Sequence, residues 1–516
     1  MNFYAVSAAF YGEKEMNDER EKTKKEKGER FCNPRVPLIV AIVLALGVVV
    51  GFASASFGLT FPFVVAAAVG VVALTLSFFF LELKGFLTVS FAVIFFFAGF
   101  LSISFKVYAN ESKAFDGYVY VCGEGRIKSI SLKDGEYTAI AENFSSENIA
   151  GGIKFKTRLS LRVGDIVKIE GKVRFVSYEG FNVYPLKNSY DYEAYYASVT
   201  VLEKTADIFS KVSALAEDAL LKNMGKTEGG ICVALLLGDT RYVSDELYEK
   251  FSLAGVAHIF AVSGLHVGFL AAALSFLLEK FGVRRIPKTL IVALVSFMYA
   301  GFCGFSVSSL RAVIMCAILG FSVSTGLKYD FLNSISTAFI VVITIFPESL
   351  FAYGTLLSFG AVYSIAFLSE PFSKIFAFMP EKLRSACSVS ASAFFGTFPI
   401  IAYMSGRISV LTVLFNVLTI PLIGVLFTLL FVGGWITAFF PALAFLLKPA
   451  EVLSGAIAFL YSEVSLSGQV VKIVPAIFPT ILLYVVLVIV SDKFNFPESL
   501  KKGAAISLPF CLLAFI

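Results

Sequence analysis

The chain has 516 residues, of which 57% are hydrophobic and only 16% charged; a mean hydropathy of +0.81 excludes a soluble domain as the bulk of the protein. The formal net charge is +5, and the length accommodates about ten membrane crossings plus one separate domain of roughly 100 residues, the scale of a channel or transporter. Seven cysteines (32, 122, 232, 303, 316, 387 and 511) never fall at C-x-x-C spacing, which argues against a metal knuckle or a disulfide scaffold.

Residues 1–35 mix both charge signs densely and lack the apolar core of a signal peptide, so they read as a disordered cytoplasmic tail. Apolar runs at 36–58, 60–81 and 86–105 are each near the ~20 residues that cross hydrocarbon, and they define three N-terminal helices within 36–107. With the tail inside, three crossings deliver residue 108 to the outer face.

Between 108 and 205 the pattern changes to alternation, as in Gly164–Phe175, GDIVKIEGKVRF. Five or so short strands predict a small extracellular β-barrel of the OB type, a shape often used for oligonucleotides. The stretch from Lys154 to Arg174 holds Lys154, Lys156, Arg158, Arg162, Lys168, Lys172 and Arg174 against Asp165 and Glu170. Two readings stand: a surface that attracts phosphates, or a solvated strand face whose lysines block edge pairing. Phe155, Phe175, Tyr178 and Phe181 suit either base stacking or the barrel core.

From 206 the chain returns to helical periods. Residues 206–250 read as an amphipathic and re-entrant segment: a surface helix at 206–224, then Ile231–Leu237, an apolar stretch too short to span and ending in Gly238-Asp239. A run from Phe251 to Leu278 precedes a basic loop with Lys280, Arg284, Arg285 and Lys288, which the positive-inside rule assigns to the cytoplasm. Further apolar runs continue to the end of a 251–516 transmembrane domain. The expected fold is a polytopic all-α integral membrane protein, with about 10–13 transmembrane or re-entrant helices and one small β-barrel.

Both histidines of the chain, His258 and His266, flank Ser263-Gly264 in the segment AHIFAVSGLHVG. Polar groups are costly in hydrocarbon, so their clustering marks an internal polar site. In a continuous helix the two histidines would lie about 80° apart around the axis and share a cavity. Alternatively, Ser263-Gly264 breaks the helix and presents backbone N–H groups to an anion. A third reading has the Ser-Gly pair serving close packing while the histidines bond neighbouring carbonyls. Arg311, after Ser308-Ser309, needs an anionic counterpart: outer headgroups reached by snorkelling, passing phosphates, or an internal acid such as Asp239. Asp330, Asn333 and Glu348 sit at predicted helix ends as caps.

Four blocks resemble the ComEC-type competence proteins: Ala234–Gly268, from ALLLGDT to AGVAHIFAVSGLHVG; Tyr299–Ala312 leading into Lys328–Asn333; Pro347–Phe359; and Thr397–Gly424. Before them, Gly164–Gly171 and Asn188–Ser198 resemble the extracellular OB-like domain of that family. Where the family often has a Gln before LSF, this chain has Leu356-Leu357. Many relatives continue into a metallo-β-lactamase-like domain whose chemistry needs several His and Asp ligands; with two histidines, these 516 residues are expected to encode no nuclease. The resemblance implies a channel of the bacterial cytoplasmic membrane that imports single-stranded transforming DNA, with His258, Ser263, Gly264, His266, Arg311 and Asp239 along the path and the seven basic residues of the barrel meeting DNA. It further implies contact with membrane lipid, an extracellular DNA receptor and a cytoplasmic helicase-like ATPase as partners, and no cofactor. A homo-oligomer is left open. Two other classes remain: an intramembrane hydrolase using Ser263 and His266, and a small-solute transporter.

Overall fold

The computed structural model describes residues 36–508 apart from 57–68, most of 71–82, 134–135, 148, 160, 177–189, 205–207, 263, 326–329, 410, 464–469, 474–476, 492–496, 498, 502 and 505–506. The tail at 1–35, the second apolar run at 60–81, Tyr178, Phe181 and Ser263 therefore lie outside the described residues. Among the described residues, seven helices are long and apolar enough to cross a membrane, and three shorter apolar helices accompany them. The chain is a multi-pass membrane protein with one small closed barrel. Its described part falls into two compact units, 36–212 with 336–352, and 213–335 with 353–508.

In the first unit, α1 (Val36–Ser56) and α2 (Leu83–Glu111) pack against each other. Glycine makes that approach possible. A Cβ on Gly47 would stand 2.2 Å from the Phe96 carbonyl oxygen, and one on Gly99 2.8 Å from that of Leu44, so any side chain would push the backbones apart. Glu348, expected as a cap, instead takes the ammonium of Lys106 at 2.6 Å.

The barrel follows from β1 (Val119–Lys133), β2 (Glu136–Ser146), β3 (Ala150–Thr157), β4 (Ile166–Phe175) and β5 (Tyr192–Glu203). The strands close in the order β1-β2-β3-β5-β4, with β3 and β5 parallel and the other pairs antiparallel. This is the OB arrangement. Alternate residues fill the interior: Ile153 and Phe155 from β3, Val167, Ile169, Val173 and Phe175 from β4. Phe155 and Phe175 are thus core residues and do not face an incoming base.

The second unit is built around α4 (Lys226–Leu237), which follows α3 (Ile208–Asn223). Residues Gly229–Leu237 are all buried, because helices pack on every side of α4 and no polar face is required. Gly238 ends it in the left-handed conformation, φ 80°. Then come α5 (Asp245–Leu253), α6 (Gly264–Lys280), α7 (Arg285–Phe302) and α8 (Val307–Thr325); α9 (Phe331–Ile345), whose start is capped by Asp330 accepting from the Asn333 N–H at 3.1 Å, begins in this unit and from residue 336 belongs to the first. The unit continues with α10 (Tyr353–Ile375), α11 (Glu381–Ser405), α12 (Thr412–Phe439), α13 (Lys448–Glu463) and α14 (Ile477–Val490). A two-stranded ribbon joins β6 (Arg407–Ser409) to β7 (Val470–Lys472).

Candidate functional site

The run from Phe251 to Leu278 is not one helix. After α5 the chain reaches Gly255 at φ +77°, where a Cβ would come 2.5 Å from the Thr412 side chain, so glycine alone satisfies both the conformation and the space. A single 3₁₀ turn, Ala257–Ile259, follows, and α6 begins only at Gly264. His258 lies on that turn and is exposed, whereas His266 is wholly buried in α6. The continuous-helix arrangement of the two histidines is overturned: the helical segment is interrupted before α6. His266 meets Phe427 edge-on, with centroids 4.9 Å apart. Phe427 in turn meets Tyr299 at 5.8 Å, and the Tyr299 hydroxyl donates to the Leu236 carbonyl at 3.0 Å, at the end of α4.

Arg311, the fifth residue of α8, is 2% exposed, which rules out snorkelling as its state in this fold. Its Nη2 donates to Ser308 Oγ at 3.2 Å, and its guanidinium carbon lies 5.0 Å from the centre of the Phe359 ring. Nη1 has no hydrogen-bond partner among the described residues. Nη2 is also 3.8 Å from where a Cβ on Gly264 would stand, which sets the guanidinium beside the first residue of α6. A helix N-terminus and an unneutralised guanidinium both favour an anion. The pairing of Arg311 with Gly264 is therefore an arrangement suited to a phosphate or carboxylate.

Asp239 does not answer Arg311. It receives Nε and Nη2 of Arg241, a residue the sequence reading passed over, and its Oδ1 also accepts the Arg241 backbone N–H at 3.1 Å. Glu217 stands 3.7 Å from the same guanidinium and accepts the Tyr242 hydroxyl at 2.6 Å. These four groups form one satisfied internal cluster, so Asp239 is an anchoring residue. The spacing Asp-Thr-Arg after a glycine was the available signal, since an Asp at a turn reaches the N–H two residues on.

Strand β5 lies between β3 and β4, so that Lys154 and Arg174 flank Glu193 from its two sides. Lys154 is half-buried and pairs with Glu193 at 2.9 Å; Arg158 meets Glu136 at 3.6 Å; Lys168 meets Glu170 at 2.8 Å. Arg162 lies partly buried before β4, where its N–H donates to Asp165. Lys156, Lys172 and Arg174 are exposed, and among the described residues none of them forms an ion pair. Burial pushes the Glu193 carboxyl up, but its hydrogen bond from Lys154, with the charges of Lys154 and Arg174 and the Tyr195 hydroxyl, brings it below its ordinary value. Glu170 is also lowered, first by its hydrogen bond with Lys168.

The family model of the competence proteins matches residues 235–492, half of the chain. ComE operon protein 3 of Bacillus subtilis is 31% identical over 192 residues, 37% of this chain and 24% of that protein. Recombination protein 2 of Haemophilus influenzae is 32% identical over 122 residues, 21% of this chain and 15% of its own. Competence protein ComA of Neisseria gonorrhoeae is 27% identical over 150 residues, 27% and 22% of the two chains. Each match spans less than a quarter of the relative's own length. No solved structure matches this chain. The matched region holds the broken segment before α6, the two histidines and Arg311, and the chain belongs to the competence protein family.

Proposed function

We propose that this protein is a channel through which single-stranded DNA enters a bacterium across its cytoplasmic membrane, with the barrel on the outer side. The observation that carries the reading is the buried guanidinium of Arg311, which meets no carboxylate among the described residues, beside Gly264 at the start of α6. A polyanionic strand would supply, one phosphate at a time, the counter-charge that the described residues do not. Competence membership and the barrel support the same reading. Binding is expected to be independent of base sequence, since backbone charge and stacking carry it. The 516 residues contain no G-x-x-x-x-G-K-[ST] segment, so an ATPase partner inside the cell would pull, and a DNA receptor outside would deliver.

Uptake of labelled DNA by cells with and without the chain tests the proposal. Import should vanish without it, vanish with Arg311→Glu through like-charge repulsion, and persist in part with Arg311→Lys, which keeps a point charge but loses the planar fork. Import at the normal rate in cells that lack the chain, or in the Arg311→Glu variant at normal protein level, would overturn the reading.

A further inference from the structure

Two membrane helices end together on polar groups that the described residues leave without partners. α1 and α2 run parallel, since Gly47 packs on the backbone of Phe96 and Gly51 on that of Phe100, so Ser56 at the end of α1 and Asn110 near the end of α2 come to the same side of the membrane. α1 has 21 residues, about 31 Å at 1.5 Å per residue, which matches the hydrocarbon thickness and sets these ends at head-group depth. The 3₁₀ turn Pro347–Phe351 packs on both helices: Phe351 meets Phe52 of α1 with ring centroids 5.0 Å apart, and Glu348 holds Lys106 of α2.

On α2 the buried residues recur at helical spacing, Phe100, Ile103, Val107 and then Asn110. An amide thus stands where the stripe would take another apolar side chain. Asn110 is 4% exposed, yet neither its Oδ1 nor its Nδ2 has a hydrogen-bond partner among the described residues. The same is true of the Ser56 hydroxyl and of Glu348 Oε2. The great majority of buried polar atoms in folded proteins are paired. Orphans gathered at one end of a helix pair point to a molecule that completes them.

The chemistry of that molecule follows from the donor set. Glu348 Oε2 and Asn110 Oδ1 only accept, and the carboxylate favours a cationic N–H donor. Asn110 Nδ2 donates, as does the ammonium of Lys106, one turn back on the same face and 47% exposed, and these favour an anion. A metal ion would answer the acceptors but meet the charge of Lys106; a bare phosphate would meet that of Glu348. A group that carries a primary ammonium and a phosphate a few bonds apart answers both.

We propose that this end of the α1–α2 pair binds the phosphoethanolamine head of a membrane lipid, with the ammonium on Glu348 and Asn110 Oδ1 and the phosphate on Lys106 and Asn110 Nδ2. Lys106, the most exposed of the three, swings from Glu348 to the phosphate as the head group enters. The inference goes beyond the channel reading and does not depend on it.

The test follows the melting midpoint of the full chain in detergent as dioleoyl lipids with ethanolamine, choline or glycerol head groups are added, and as soluble glycerophosphoethanolamine is added. The ethanolamine lipid should raise the midpoint and bind about tenfold more tightly than the choline lipid, whose trimethylated nitrogen has no N–H to donate. The glycerol lipid should rank with the choline lipid. Asn110→Leu should melt above the wild type without lipid, because the orphan amide is gone, and should no longer respond to the ethanolamine lipid. Glu348→Gln keeps the shape of the side chain and should erase the preference for ethanolamine over choline, which tests the site even where Asn110→Leu is poorly produced. Equal shifts with all three lipids, or an undiminished ethanolamine preference in both variants, would overturn the proposal. So would a wild type that ignores every lipid. Glycerophosphoethanolamine, which has no acyl chains to hold it at the membrane, should act only at far higher concentration; equal potency would overturn the assignment to a lipid.

Discussion

Nη2 of Arg311 stands 3.8 Å from the point where a side chain on Gly264 would begin, and the Cβ of Ala312 stands 3.6 Å from it. Both distances are ordinary van der Waals contacts, so one methyl group fits and a longer side chain does not without entering the space beside the guanidinium. Gly264→Ala should therefore reach the membrane at normal level and import DNA at close to the normal rate. Gly264→Leu should reach the membrane and import at least tenfold less. A labelled-DNA uptake assay normalised to protein level decides it; equal import by the two variants would remove Gly264 from the path.

The buried ring of His266 against Phe427 raises the question of whether it serves packing or passage. His266→Ala should abolish import while the protein stays in the membrane. His266→Phe preserves a ring for Phe427 to meet but removes both nitrogens, and it too should fail to import. Normal uptake by the Phe variant would show that the ring's shape, and not its polarity, is what matters.

Asp239 holds a guanidinium whose side chain is only 8% exposed, and it should matter for stability before it matters for transport. Removing one partner of a buried ion pair costs about 3–5 kcal/mol, because the remaining charge is left unpaired. Asp239→Ala should thus lower the melting midpoint of the detergent-solubilised protein, and adding Arg241→Met to it should recover part of the loss. A single variant as stable as the wild type would show that Glu217 suffices as the counter-charge.

Acid should loosen the barrel at the β3–β5 junction. Glu193 is held below its ordinary value in the folded state, so its contribution is fully present above the ordinary carboxylate range and is lost as pH falls through the lowered folded value. Amide exchange in β5 should accelerate on acidification through that window, and Glu193→Gln should flatten the dependence there. Exchange rates that track pH identically in the two proteins would place the acid sensitivity elsewhere.

Much of the architecture is legible from local pattern alone. Hydropathy marks the membrane helices because the requirement that a span exclude water acts on about twenty consecutive residues, and alternation marks the barrel because a strand's two faces see different solvents. The barrel's strand order is less accessible, since it depends on which strands pair; that pairing inserts β5 between β3 and β4 and divides the basic run at 154–174.

The sequence by itself determined that this chain lives in a bilayer, carries a small β domain, and concentrates its scarce polar groups near His258, His266 and Arg311. Only the tertiary structure decided that Gly255, pressed against Thr412, breaks the segment before α6, that Asp239 belongs to Arg241, and that Arg311 faces Gly264 with no acid at hand among the described residues. The reason is one of range. Solvent preference and backbone period are set by neighbours in the chain, whereas the partner of a buried charge is chosen by packing between elements tens of residues apart, where spacing in sequence no longer constrains distance.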